Sequence, residues 1–188
     1  NNCTMSKNIQ DIAMDNQQGK TYFKIGWLVG MIEGEGCITL SKSGKVKNKI
    51  GNKLSPYISI TNTDKRLIDR AIEIVKSFDL PFYLDQRKYN NGLKWKDRFT
   101  IQVYGLKRSK IWLELITKYL VGKRRQAEIL LEFIAQREKV LKLHPFNKPY
   151  TDLEIRLYNQ IRELNSRPNR TTKPSETKRR PWQDQVKV

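Results

Sequence analysis

The sequence predicts an α+β domain in which helices back an antiparallel sheet in the order αββαββα, with further helices after that unit. Three observations lead there. Two pairs of short segments alternate apolar and polar residues, glycine- or asparagine-containing stretches join the members of each pair, and segments with helical apolar spacing flank them. Strict alternation also implies a sheet with one buried and one open face, because successive strand side chains point to opposite sides.

The first 20 residues carry few apolar groups and are expected to form a flexible arm. A helical pattern begins at Thr21 and ends at Glu33-Gly34-Glu35-Gly36, where Cys37 to Lys42 takes over as a strand with Ile38 and Leu40 on one face. A basic loop from Ser43 to Ser55, containing Gly44 and Gly51, leads into a second strand, Tyr57 to Thr61. Thr63 or Asp64 then caps a helix whose Leu67, Ile68, Ala71, Ile72, Val75 and Phe78 recur at helical spacing, and Leu80-Pro81 closes it. The second strand pair is Phe82 to Lys88 and Arg98 to Tyr104, turned around Asn90-Asn91-Gly92.

Two helices follow, Ser109 to Leu120 and Arg124 to Leu141, separated by Gly122, and an amphipathic helix spans Thr151 to Leu164 after a proline-containing loop. The chain therefore divides into an arm (1–20), a core (21–141), a C-terminal loop and helix (142–165) and a basic tail (166–188) that is expected to order only on a partner. A length of 188 residues suits one buried core.

Thirty-seven Lys and Arg against 19 Asp and Glu give a net charge of +18. That excess exceeds what solubility needs and implies a polyanionic partner, with nucleic acid first. A membrane is a poor alternative, because the longest apolar stretch, Ile25 to Ile32, is interrupted by glycine and far too short to span a bilayer. The polar start lacks a secretory pattern, so an intracellular protein of an organelle or a prokaryotic cytoplasm is expected. Two cysteines and one histidine exclude a disulfide framework or a Cys/His zinc site within one chain, so any metal must be held by oxygen. His144, just before Pro145, reads as an ordinary loop residue.

At period two, Ile38, Leu40, Ile58, Ile60, Phe82, Leu84, Phe99, Ile101 and Val103 fall on the core side of the sheet. The other face carries Thr39, Ser41, Tyr57, Ser59, Thr61, Tyr83, Asp85, Arg87, Tyr89, Arg98, Thr100 and Gln102, groups able to meet phosphates and base edges. A solvated outer face is the plain alternative. The overall charge, with Lys42, Lys45, Lys47, Lys49 and Lys53 in and beside the connecting loop, favours contact with nucleic acid.

Gly26, Gly30 and Gly34 stand in one row of the first helix, where each costs roughly 1 kcal/mol relative to alanine. Either a second copy of the helix packs on that row, or the sheet does. Below it lie Glu33 and Glu35, which are surface acids in the plain reading. At a contact between two copies they would concentrate negative charge that a divalent cation relieves.

The run Leu28-Val29-Gly30-Met31-Ile32-Glu33-Gly34-Glu35-Gly36 resembles the LAGLIDADG motif of homing endonucleases position by position, with both acids kept as glutamate. It stands at the start of an αββαββα order, as in that family. The resemblance extends from about Thr21 to Leu141, and more weakly through Thr151 to Thr177, as in the small homodimeric members.

The resemblance implies a homodimer whose motif helices meet at Gly26, Gly30 and Met31, and whose sheets form a saddle on the major groove of double-stranded DNA. It implies hydrolysis of both strands of a long, pseudo-palindromic target with Mg²⁺ or another divalent cation such as Mn²⁺. Glu35 matches the metal-binding acid, with the Gly34 carbonyl as a further ligand and Glu33 in a structural role. Lys123, heading Lys123-Arg124-Arg125-Gln126-Ala127, resembles the family's active-site lysine. Asn62 stands where several relatives place glutamine, and Arg66 or Lys65 falls near a basic residue of the same neighbourhood. Two positions depart from the pattern: Glu35 is one methylene longer than aspartate, and Asn62 is shorter than glutamine. The same scaffold also serves as a splicing maturase, with RNA as partner, or as a DNA-binding protein that does not cut.

Overall fold

The structure is a computed structural model and describes residues 9–43, 53–89, 96–143 and 149–166; for residues 9–15 and 43 it describes the backbone alone. The loop lysines Lys45, Lys47 and Lys49, the turn at Asn90-Asn91-Gly92, His144 and the tail beyond Ser166 lie outside the described residues.

Helix passes into strand without a linker at the first junction: α1 spans Ile9–Glu35 and β1 spans Gly36–Ser43. Then come β2 (Lys53–Asn62), α2 (Lys65–Ser77), β3 (Tyr83–Arg87), β4 (Arg98–Tyr104), α3 (Leu106–Ile116), α4 (Arg124–Leu143) and α5 (Asp152–Asn165). The strands form one antiparallel sheet in the order β1-β2-β4-β3. The αββαββα unit with added helices is therefore present as predicted. Among the described residues, no helix is long and apolar enough to cross a membrane.

Helices cover one face of the sheet. Ile38, Leu40, Ile58, Ile60, Phe99, Ile101 and Val103 are buried there against Leu28 and Ile32 of α1, Ile68 and Val75 of α2, and Trp112, Leu113 and Phe133 of α3 and α4. Burial of large side chains is worth about 1.5–3 kcal/mol each, so Ile25, Leu28, Val29 and Ile32 together outweigh the cost of the glycines in α1. Trp112 is fully buried yet satisfied, because its indole Nε1 donates to the Pro81 carbonyl at 2.8 Å.

Four expectations are corrected. The stretch 9–20 is helical, continuous with the motif helix, and residues 16–23 are all exposed, so no buried stripe in that part announces the helix. Leu84 is 52% exposed, because β3 is an outer strand beyond the reach of the helix layer, and Phe82 lies just outside the strand, half-buried. In α2 the buried residues are Ile68, Ala71, Ile74 and Val75, while Leu67 is turned outward. Finally, α3 begins at Leu106 and ends at Ile116 in a 3₁₀ turn, Thr117–Tyr119.

The second strand also begins earlier than its alternation shows, at Lys53. Pro56 looks like a loop residue, but β4 ends at Tyr104, which pairs with Tyr57, so no strand partner asks for the missing N–H. Other groups complete that side of β2. The Gly105 N–H and the Ser109 hydroxyl donate to the Pro56 carbonyl, and the Tyr150 hydroxyl accepts from Leu54 N–H at 2.8 Å. Gly105 has a φ of +92°, which glycine adopts without strain, and this bend aims its N–H at Pro56.

On the opposite edge, the Asn165 side chain donates to the Ile38 carbonyl at 3.0 Å, so the end of α5 covers β1. A capping box at Thr151 and Glu154 starts α5, and the buried Glu154 carboxylate stands 3.5 Å from Arg137 of α4.

Candidate active site and nucleic-acid face

The junction between α1 and β1 exists because residue 36 has no side chain. A Cβ on Gly36 would stand 2.5 Å from the Ile32 carbonyl oxygen and 2.7 Å from the Ile32 Cα. The chain can therefore leave the helix and pair Gly36 with Ile60 at the next residue. This sharp exit places Glu35 at the end of the sheet where β2 finishes at Asn62.

Glu35 is exposed, and its carboxylate has no hydrogen-bond or ion-pair partner among the described residues. Glu33 differs. Its Oε1 accepts from the backbone N–H of Val121 at 2.7 Å and of Lys123 at 3.3 Å, which ties the end of α1 to the turn before α4. Lys123 answers in the other direction, its Nζ donating to the carbonyls of Ile32 and Glu33. Two of the three ammonium donors are thus used, leaving one.

Asn62 bends the chain into α2: its Oδ1 accepts from Asp64 N–H at 2.8 Å, and its amide NH₂ has no partner among the described residues. Arg66 lies one turn further on, its side chain 90% exposed and held by Asp64 at 2.7 Å. The Arg66 guanidinium, and then the Arg66 backbone N–H, hold the Asp64 carboxyl below the usual carboxylate range. Glu35, Lys123 and Asn62 are therefore gathered at one end of the sheet, whereas Arg66 faces outward. Among the described residues there is no group of three or more His, Cys, Asp and Glu that would hold a metal ion.

Cross-strand register converts the uncovered face into a grid. Cys37, Ser59, Gln102 and Tyr83 form one row; Thr39, Tyr57 and Tyr104 a second; Thr61, Thr100 and Asp85 a third; Arg98 and Arg87 a fourth. Ser59 and Thr100 are buried even here, on the two inner strands, and Thr61 donates to the Thr100 hydroxyl at 3.2 Å. Asp85 lies 3.5 Å from Arg87. Lys42 and Lys53 are exposed at the distal end of the β1–β2 hairpin. On the open face beside Lys53, a recess is lined by Ser41, Lys53, Ser55, Tyr57 and Tyr104. Beside it, the Tyr104 and Tyr83 rings stack 4.7 Å apart, with the Arg108 guanidinium 5.0 Å from the Tyr83 centroid.

The outer row of α1 is bare. A Cβ on Gly26, Gly30 or Gly34 would meet nothing within 4 Å, and Tyr22 and Phe23 just upstream are 53% and 64% exposed. Among the described residues, then, the sheet does not pack on these glycines. Met31 is half-buried and packs against the core.

No family model matches the sequence, and no curated protein matches it. Solved structures do. The chain superposes on the homing endonuclease I-CvuI in complex with its target at a TM-score of 0.59 and 20% identity, over 81% of this chain and 88% of that one. For the archaeal intron-encoded homing endonuclease I-Vdi141I complexed with DNA, the TM-score is 0.58 at 18% identity, over 80% and 89%. The LAGLIDADG homing endonuclease I-LtrWI bound to target DNA gives 0.52 at 22% identity, over 73% of this chain and 42% of that one. The fold is that of the LAGLIDADG homing endonucleases.

On this LAGLIDADG scaffold, the residues gathered at the motif end and those of the open face occupy two separate regions. Three members of the face escaped the sequence reading. Tyr104 continues the alternation of Arg98, Thr100 and Gln102, and Cys37 precedes Thr39 by two, so period two contained both. Ser55 required the register, which pairs it with Ser41. Packing around its sulfur pushes the Cys37 thiol pKa up, and the Lys123 ammonium pulls it partly back. The Lys123 ammonium sits close to the start of β1 through its hydrogen bonds to the Ile32 and Glu33 carbonyls.

Proposed function

We propose that the chain is a site-specific homing endonuclease that binds a long, pseudo-palindromic double-stranded DNA as a homodimer and hydrolyses both strands with divalent metal. The observation that carries this reading is the exposed Glu35 carboxylate, unpartnered among the described residues, held at the end of an uncovered, polar sheet face and below a glycine row that meets none of the described residues. Support also comes from the solved relatives, which were crystallised with DNA, I-CvuI in the presence of calcium or magnesium.

The residues suit a hard cation. Mg²⁺ takes one or two carboxylates together with phosphate and water, which Glu35 from each of two copies supplies, and Gly34 puts no side chain over its own carbonyl. When bound, the cation neutralises charge on the scissile phosphate and lowers the pKa of water. The protein's own groups do the remainder. The free donor of Lys123 stabilises charge developing on phosphate oxygen, and the Asn62 NH₂ orients water.

On the open face, Thr39, Ser41, Tyr57, Thr61 and Gln102 present hydroxyls and amide to base edges, while Ser59 and Thr100, buried on the inner strands, lie beneath them rather than at the contact surface. Arg87, Arg98 and Lys53 engage phosphates, with Lys42 and Lys45 at the hairpin end, while Asp85 of β3 and Tyr89 just beyond that strand add to the contacts of this edge. Gly26 and Gly30 let a second α1 approach closely.

The decisive experiment is selection of cleaved molecules from a pool of randomised duplexes with Mg²⁺. A recovered, two-fold related consensus cut on both strands is the expected result. Mobility-shifted but intact duplex would replace the nuclease with a binding protein, and preference for RNA over duplex DNA would favour the maturase reading.

A further inference from the structure

We infer that Glu33 is a positioning residue that fixes the Lys123 ammonium beside the catalytic end of α1 through a reciprocal clasp. The inference rests on the nuclease reading for Lys123 and adds a cause for where that amine sits. Glu33 Oε1 accepts from Val121 N–H at 2.7 Å and Lys123 N–H at 3.3 Å, so the acid grips the backbone that carries the lysine. The Lys123 Nζ donates to the carbonyls of Ile32, at 2.8 Å, and of Glu33 itself, two residues before Glu35.

Each residue thus satisfies groups that the other's element leaves unpaired. The last carbonyls of α1 have no intrahelical donor, and the N–H groups of Val121 and Lys123 lie in the turn before α4, where no helical carbonyl is in place to accept them. Gly122 closes the device, because a Cβ there would lie 3.0 Å from Glu33 Oε2 and would crowd the carboxylate. The two motif acids therefore divide their labour: one is spent on backbone within the chain, and the other is left open.

The clasp needs an acceptor at residue 33 and does not need its charge. Glu33→Gln keeps an amide oxygen for both N–H groups, whereas Glu33→Ala removes it. With duplex bound to saturation, Glu33→Ala is expected to lower the single-turnover cleavage rate about 10- to 100-fold while the Kd for the same duplex stays near wild type. Glu33→Gln is expected to restore most of that rate. Equal impairment of both variants would overturn the clasp in favour of a role for the charge, and a wild-type rate in Glu33→Ala would remove it altogether.

A second readout does not depend on cleavage. Acetylation of Lys123 by limiting acetic anhydride, followed by peptide mass spectrometry, is expected to run several-fold faster in Glu33→Ala than in wild type or Glu33→Gln. Unchanged acetylation overturns the clasp even if the protein cuts DNA. Conversely, a wild-type protein that cuts no duplex sinks the nuclease reading, while the acetylation comparison still decides the clasp. Should Glu33→Ala fail to fold, Gly122→Ala carries both measurements at an exposed position, with faster acetylation and slower cleavage expected and wild-type values contradicting the inference.

Discussion

In the proposed nuclease Glu35 is the residue on which chemistry turns, because its carboxylate is exposed and unengaged among the described residues while Glu33, two positions earlier, is tied to backbone. Glu35→Gln keeps shape and removes the charge. It is expected to reduce cleavage by roughly 100-fold or more with DNA affinity retained, measured as single-turnover rate and mobility shift on one duplex. A normal rate would show that the metal ligand lies elsewhere. Asp64 offers a test of local electrostatics. Its folded pKa is depressed by Arg66, so the stability it contributes is present above the unfolded value of about 3.9 and disappears as pH falls through the lower folded value. Asp64→Asn keeps an oxygen for Arg66 N–H but loses the charge. The Tm difference between wild type and Asp64→Asn is therefore expected to narrow below about pH 4, and a difference that widens in acid would contradict the sign.

Among the elements, α1 is decided by its two ends and its two sides. Its core side is fastened by Ile25, Leu28, Val29 and Ile32, and its end is cut short by Gly36. Alanine at 36 would collide with backbone that has nowhere to move, so Gly36→Ala is expected to cost about 1–3 kcal/mol and lower the Tm by several degrees. Gly26→Ala meets empty space among the described residues and gains helix propensity. It should leave or raise monomer stability while weakening self-association, which sedimentation separates from the effect at 36. Unaltered self-association would argue that the glycine row faces solvent. The β2 strand shows the same economy: where β4 stops, Gly105, Ser109 and Tyr150 satisfy the backbone that would otherwise stay open.

For the whole molecule, a net charge of +18 sets the response to salt. If the protein makes six to ten phosphate contacts, affinity for duplex should fall about 1,000-fold or more between about 50 and 200 mM salt, with log Kd linear in log salt. A shallow slope would mean that the charge is not engaged by phosphate. The helices occupy one side of the sheet, so arginines, hydroxyls and stacked tyrosines share the other, with the Tyr83–Tyr104–Arg108 stack on its β3–β4 side.

Periodicity by itself determined the order of strands and helices, the buried face of the inner strands and the helix-to-strand change at Gly36, because burial on one face imposes a repeat that is written in the chain. The glycine row, the two motif acids and Lys123 were legible as residues of interest. Only the tertiary structure decided that Glu33 and Lys123 hold one another while Glu35 does not join them, since that depends on α1 and the turn before α4 meeting across 90 residues. It likewise decided that Leu84 is exposed, that Pro56 belongs to a strand and that residues 9–20 are helical. Those outcomes depend on which neighbour is present or missing, and neighbours distant in sequence leave no period behind.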